Sequence, residues 1–483
     1  MEPEQTKPLF RQERTDKMKK EKLLHSTKIQ QMIAQYKHDM QLVDQLTADA
    51  EPHYEIEQEL YKKYEVKRGL RDLDGKGVRA GLTTISKVSA TQIVDGREVP
   101  AAGQLLYRGI PIEQLVQGFI THDRFGFEEI VYLLLMGHLP KADQLAQFKG
   151  LLTDYQELPN HFNSGVIMKM PSDNIMNTMA KCVLALHAYD PKPDDTSLPN
   201  VMRQCIQLVS QFPSLAVFGY QASMYFRNDR SMFIQKPDPK LSIAENILYM
   251  MRPDGKYTRL EAKLLDLCLV LHEHGGGNNS AFTVHVVSSS GTDTYSTVAA
   301  ALGSLKGPKH GGANIKVMEM FEDLKQHCPD WEDEDALREY LKGLLRGEGF
   351  DHSGLIYGMG HAVYSVSDPR AVILKSFVEQ LSDEKGCHAE YQLYATVERL
   401  AKEVITQNRK IYKGVCANVD FYSGFVYRML GLPMDLFTPI FAIARIAGWS
   451  AHRLEELINC RKIIRPAYLS VAEPQEYVPL EER

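Results

Sequence analysis

The chain has 483 residues, of which 44% are hydrophobic and 24% charged, and its formal net charge is -6. This length exceeds one core of typical size and predicts two domains plus an appendage, while the composition is that of an ordinary globular protein. The negative balance argues against a general nucleic-acid binder, whose affinity comes from lysine and arginine on phosphates, so any anionic ligand must meet a local cluster of cations. Apolar runs at 264–271 and 437–446 are interrupted well short of the roughly 20 residues a spanning helix needs, and no membrane segment is expected. Seven cysteines with no C-x-x-C pair argue against a disulfide framework or a zinc module. Residues 1–22 mix acids and bases without the apolar core of a secretory signal, which makes the cytoplasm the expected compartment.

In chain order, residues 1–68 are rich in Lys, Glu, Gln and Asp, with apolar residues at Ile29, Met32, Ile33, Tyr36, Met40 and Val43, and read as an appended helical arm. Residues 69–108 change character. Gly, Asp and β-branched residues alternate in 78–86 and 92–99, and Asp95-Gly96 has the form of a hairpin turn, so the few short strands are expected here. From Pro111 onward apolar residues recur at three- and four-residue spacing, as in Ile130, Leu133, Leu134 and Ile243, Ile247, Leu248, Met251, and the body is predicted to be helical.

Four segments carry chemistry. In His272-Glu273-His274-Gly275-Gly276-Gly277-Asn278, three glycines after an apolar helix let backbone approach a ligand, with either histidine in reach; the same residues also read as a helix cap. A metal reading lacks the H-E-x-x-H spacing and a clear third ligand. In Gly307-Pro308-Lys309-His310-Gly311-Gly312-Ala313-Asn314, a histidine sits in a turn ahead of a helix, where its neutral form can donate a hydrogen bond to developing negative charge; an incidental turn residue is the alternative. Gly358-Met359-Gly360-His361 lacks the third glycine of a dinucleotide fingerprint and reads instead as exposed backbone beside a carbonyl-polarising histidine. Arg370, after Asp368-Pro369, either grips a carboxylate or pairs with Asp368. In the fourth, Asp420 follows Asn418-Val419 as a base or an N-cap, and Phe441, Arg445, Gly448, Trp449 and His452 share one helical stripe, placing a guanidinium on an apolar face where it needs an anion.

Together and in this order, the segments resemble citrate synthase over about 69–468. The resemblance implies a mainly α, two-domain helical fold: a large domain from 69–312 and 424–483, a smaller one at 313–423, and the arm at 1–68. It implies condensation of acetyl-CoA with oxaloacetate and water to citrate and CoA, with propionyl-CoA and 2-methylcitrate as the alternative. It further implies Asp420 as base, His310 as donor to the thioester oxygen, and His361 as polariser of the oxaloacetate ketone. Oxaloacetate would be held by His274, Arg370, Arg445 and Arg465, and CoA by Leu355, Ile356, Tyr357, Gly358, Met359 and Gly360. No metal and no cofactor are expected, CoA thioester being a substrate, and the chain is expected to form a homodimer. One departure stands out: Ser365, Val366 and Ser367 occupy a stretch where many relatives carry a basic residue for a CoA phosphate, with Arg108 and Lys309 as possible substitutes.

Overall fold

A computed structural model describes residues 9–72, 77–228, 231–274, 276–361, 363–408, 414–459 and 462–483, with side chains from Lys28 onward. Residues 1–8, Gly275 and Ala362, all part of segments considered above, lie outside these. The chain falls into two compact units, one up to Leu82 and one from Thr83. In the first, a helix spans Leu9–Tyr54 and a short one Gln58–Lys63, and Ile29, Ile33, Tyr36, Met40 and Val43 are exposed along the long helix.

The second unit is helical apart from one three-stranded antiparallel sheet: β1 (Ser86–Val94), β2 (Arg97–Tyr107) and β3 (Ile110–Pro111). Asp95 and Gly96 both have positive φ and join Val94 to its partner Arg97, as a two-residue hairpin of this composition requires. The alternation at 78–84 forms no strand: Val78 N–H donates to the Leu70 carbonyl, but no strand ladder continues from it among the described residues, and the sheet starts at Ser86.

Two long helices organise the core. Leu198–Asn228 is buried along most of its length, and Phe437–Asn459 is buried at every residue from Phe437 through Leu454. A helix apolar all round is stable only inside other helices, and these two pack on each other. Side-chain caps begin several surrounding helices: Thr258 and Glu261 form a reciprocal box at the start of Arg259–His272, and Asn278 accepts from Ala281 N–H at the start of Asn279–Ser288. The helices Ala313–His327, His388–Asn408 and Asp420–Met429 share an aromatic cluster in which Tyr394 stacks between Phe321 at 3.6 Å and Phe425 at 4.6 Å. None of the described helices is long and apolar enough to cross a membrane.

Arg453 fixes the junction of Phe437–Asn459 with the two helices before it. It is buried, and its guanidinium donates to the hydroxyls of Thr294, Ser288 and Thr297 and to the Thr292 carbonyl. Removing it strands four acceptors and opens a cavity. Arg453→Ala is therefore expected to lower stability by about 3 kcal/mol, seen as a lower thermal unfolding midpoint; an unchanged midpoint would contradict this account of the junction.

Candidate active site

Five segments distant in sequence converge at the ends of buried helices. Arg445 projects from the middle of Phe437–Asn459 and is 2% exposed. Its Nε donates to the His272 carbonyl at 2.8 Å and its guanidinium lies 4.7 Å from the Phe441 ring, but Nη1 is buried without a partner. No carboxylate pairs with it among the described residues. Burial, and then the nearby Arg370, lower its pKa to about 9. Arg370 stands at the start of Pro369–Glu384, and here the pairing alternative holds: Nε and Nη2 donate to the Asp368 carboxylate at 3.0 and 2.7 Å. Burial works against the Arg370 charge, yet Asp368 raises its pKa above the ordinary arginine value.

The two histidines of the first segment separate cleanly. His272 ends the helix Arg259–His272, and its Nδ1 meets the Cys268 carbonyl one turn back at 2.7 Å, so it is a satisfied core residue. His274 is equally buried, lies 5.5 Å from the Tyr107 ring, and has no partner on either ring nitrogen. Burial first, then Arg370 and Arg445, hold it well below the usual imidazole pKa. A neutral, unsatisfied imidazole beside two guanidiniums is what a bound carboxylate or keto group would complete.

His310 lies in the turn before Ala313–His327. The Ser280 N–H donates to its Nε2 at 3.3 Å and the Ser280 hydroxyl lies 3.0 Å from the same atom. Because a backbone N–H can only donate, Nε2 is the acceptor and the proton sits on Nδ1. Burial, followed by Arg445, lowers the His310 pKa to about 4, so the ring is neutral near pH 7. Ser280 is itself held by Trp449 Nε1–H at 3.1 Å and lies 2.9 Å from the Asn278 side chain. Sequence reasoning missed Ser280, although it lies two residues beyond the singled-out Asn278.

His361 follows the same logic with the opposite tautomer. The N–H groups of Val363 and Tyr364 donate to its Nδ1 at 3.1 and 3.0 Å, which leaves the proton on Nε2, and the ring stacks on Tyr364 at 4.5 Å. Asp420 is the first residue of Asp420–Met429 and not its cap: its N–H donates to the Asn418 side chain at 3.0 Å, and its carboxylate enters no hydrogen bond among the described residues. Burial raises its pKa to about 6, with Asp368 adding to the effect and Arg370 and Arg445 opposing it. Arg445 thus acts electrostatically on His274, His310 and Asp420, Arg370 acts on His274, Arg445 and Asp420, and His361 acts on Asp368.

Not every expected residue joins them. Arg465 is exposed on the extended tail beyond the last long helix and has no hydrogen bond or ion pair among the described residues. Arg108 donates to the Leu134 carbonyl and the Thr84 hydroxyl, a structural task, while Lys309 is exposed. The stretch 365–367 docks on β2, where Gly103 N–H donates to the Ser367 carbonyl at 3.1 Å, while Val366 is exposed. Of the CoA segment, Leu355 is exposed and Ile356 buried, and the Tyr357 hydroxyl donates to Asp351 at 2.6 Å. Gly358 has φ +79°, and a Cβ there would approach Phe421 and Val317 within 3 Å; this glycine serves internal packing. The loop is clasped to the segment before Asp420: Gly360 N–H donates to the Cys416 carbonyl, Asn418 N–H to the Gly358 carbonyl, and the Asn418 side chain to the Gly360 carbonyl. A cavity of about 210 Å³ adjoins it, lined in part by Met359, Asp368, Lys375, Lys402 and Cys416. Glu273, next to His274 in sequence, is buried with both carboxyl oxygens unpartnered, and burial, with Asp266 and Glu128 adding to it, raises its pKa well above the ordinary carboxyl value.

Comparison with known proteins agrees with this arrangement. The family model described as "Citrate synthase, C-terminal domain" matches residues 70–467. A citrate synthase of Acidithiobacillus ferridurans is 36% identical over 409 residues, covering 82% of this chain and 97% of its own. A 2-methylcitrate synthase of Shewanella oneidensis is 32% identical over 422 residues, covering 86% and 99%. Among solved structures, the ternary complex of carboxymethyl coenzyme A and oxaloacetate with citrate synthase from Thermoplasma acidophilum superposes with a TM-score of 0.69 at 25% identity, covering 86% of this chain and 99% of that one. The chain belongs to the citrate synthase family.

Proposed function

We propose that the protein joins the methyl carbon of acetyl-CoA to the ketone carbon of oxaloacetate, forming citryl-CoA and, after hydrolysis, citrate and CoA. The observation that carries this reading is that a neutral histidine donor, His310 Nδ1–H, and a carboxyl group of raised pKa, Asp420, each act electrostatically on the same buried guanidinium, Arg445. A thioester α-proton is too weakly acidic for a lone carboxylate. Asp420 takes that proton while His310 donates to the oxygen on which charge develops, and the enol or enolate carbon attacks oxaloacetate. The ketone oxygen gains its hydrogen bond from His361 Nε2–H and becomes the hydroxyl of the adduct. Water then cleaves the thioester and releases the thiol.

Arg370, Arg445 and His274 receive the oxaloacetate carboxylates, in keeping with the unpartnered Arg445 Nη1 and His274 nitrogens. Arg465 completes the set only when the tail that carries it docks, in its own chain or in a second copy. The tail also exposes Ile463, Tyr468, Leu469 and Tyr477, a cost a partner surface would remove, and we infer a homodimer. Residues 313–423 act as the smaller domain, closing over oxaloacetate to form the acyl-CoA site around 355–360 and exclude water. No metal or cofactor is assigned to this chemistry. The described cysteines are all free thiols, in keeping with the cytoplasm. Propionyl-CoA is the second reading, supported by relatives named for 2-methylcitrate synthesis; one methylene changes discrimination by only about 1–3 kcal/mol.

Thiol release by purified protein with oxaloacetate and either thioester tests the reaction. Oxaloacetate-dependent release is expected, with the faster thioester naming the acyl preference and Asp420→Asn slower by at least about 100-fold; no release from folded protein would end this reading. The rate is expected to rise with pH through about 6, as Asp420 ionises. Folding raises this carboxyl from 3.8 to about 6, so the folded state loses stability as pH climbs between those values. Asp420→Asn should consequently be more stable than the parent at pH 7 by up to about 3 kcal/mol, with the gain vanishing below pH 3.8, a reversal of sign being the contrary result. Light scattering should give the mass of a dimer, against which a monomer mass would count.

A further inference from the structure

We propose that His285, His452 and Glu455 form a divalent-metal site of the Zn2+ class where the helix Asn279–Ser288 crosses Phe437–Asn459, with Glu456 as positioning residue. One ligand atom from each of the three lies within 4.8 Å of the others. His285 Nε2 and His452 Nδ1 are 3.1 Å apart, and Glu455 Oε2 is 3.8 Å from His452 Nδ1. Two nitrogens on a tetrahedral zinc at bond lengths of about 2.0–2.1 Å sit about 3.3 Å apart, so both rings reach one ion with shifts of a few tenths of an ångström.

The surroundings favour a cation over a hydrogen-bonded pair of rings. Glu456 Oε2 lies 2.6 Å from His285 Nδ1, which places a proton on that atom and turns the bare Nε2 toward His452. A carboxylate behind a histidine is the arrangement that orients the ring and strengthens it as a metal ligand. Glu455 holds its other oxygen by the Thr84 N–H and hydroxyl at 2.7 and 2.9 Å, leaving Oε2 directed at the cluster. Of the atoms that face the cluster, Glu455 Oε2 is buried with no hydrogen-bond partner. Among the described residues neither carboxylate is ion-paired to a lysine or arginine, and the adjacent Arg453 is committed to hydroxyls and a carbonyl. Two carboxylates and two imidazoles balance the charge of one divalent ion.

His285 is 21% exposed, so the cluster opens to solvent on one side. The ligands differ from every residue assigned above to substrates. The two helices nevertheless also carry Ser280, which sets the His310 tautomer, and Arg445; an ion at their crossing ties these elements together.

Chelator-stripped full-length protein dialysed against Zn2+ and assayed for bound metal provides the test. About one Zn2+ per chain is expected, with a raised thermal midpoint, and affinity lowered at least about tenfold in His285→Gln and in Glu455→Gln. Glu456→Gln should weaken binding by about 10- to 100-fold by releasing the ring it orients. The other group of close ligands, His187, Asp194 and Asp293, is the control: Asp194→Asn should retain the metal. Co2+-loaded parent protein should show the visible bands of a low-symmetry N/O site, a readout that needs no variant. Failure of the parent to retain Zn2+, unchanged affinity in both His285→Gln and Glu455→Gln, or loss of the metal in Asp194→Asn would each overturn the site and leave the condensation reading untouched.

Discussion

A guanidinium withdrawn from water without a carboxylate beside it governs the architecture around Arg445. Among the described residues its guanidinium contacts the His272 carbonyl and the Phe441 ring, and Asp420 acts on it through the field without a hydrogen bond. The neighbouring Arg370 has its own counter-ion in Asp368, which keeps the pair of cations from expelling each other. The chain as a whole is acidic, yet this pocket disfavours negative charge on its own carboxyls: burial raises the pKa of both Glu273 and Asp420. Such a pocket is stabilised by the rest of the fold and is relieved by a dianionic ligand.

Two histidines of the same kind are given different protonated edges by main-chain N–H groups alone. Ser280 N–H occupies Nε2 of His310, whereas Val363 and Tyr364 N–H occupy Nδ1 of His361. Backbone donors cannot reverse their role, so each ring is set before any substrate arrives. The reorganisation that solvent would otherwise undergo during charge development is thereby reduced.

The sequence made the helical body, the Asp95-Gly96 hairpin and the ordered series of histidines, arginines and Asp420 legible, because each rests on local periodicity or on turn chemistry. It did not separate His272 from His274: both lie within reach of a helix end, and only the tertiary packing shows that one meets Cys268 and the other meets nothing. The alternation at 78–84 has the composition of a strand, but no strand ladder continues from it among the described residues. Gly358 read as room for a ligand, while the space it leaves is filled by Phe421 and Val317. His285 gave no signal at all, since its companions lie on a helix far along the chain and no spacing rule spans that separation.

The clasp between 358–360 and 416–418 makes the distance between His361 and Asp420 independent of the contour of chain that separates them. The helices Pro369–Glu384 and His388–Asn408 form a loop closed at its neck. Length changes beyond Arg370, at the turn between those helices, are absorbed outside the neck, and the spacing of His361 and Asp420 survives them. That part of the fold is accordingly the place where the family's architecture can accept grafted sequence without retuning its chemistry.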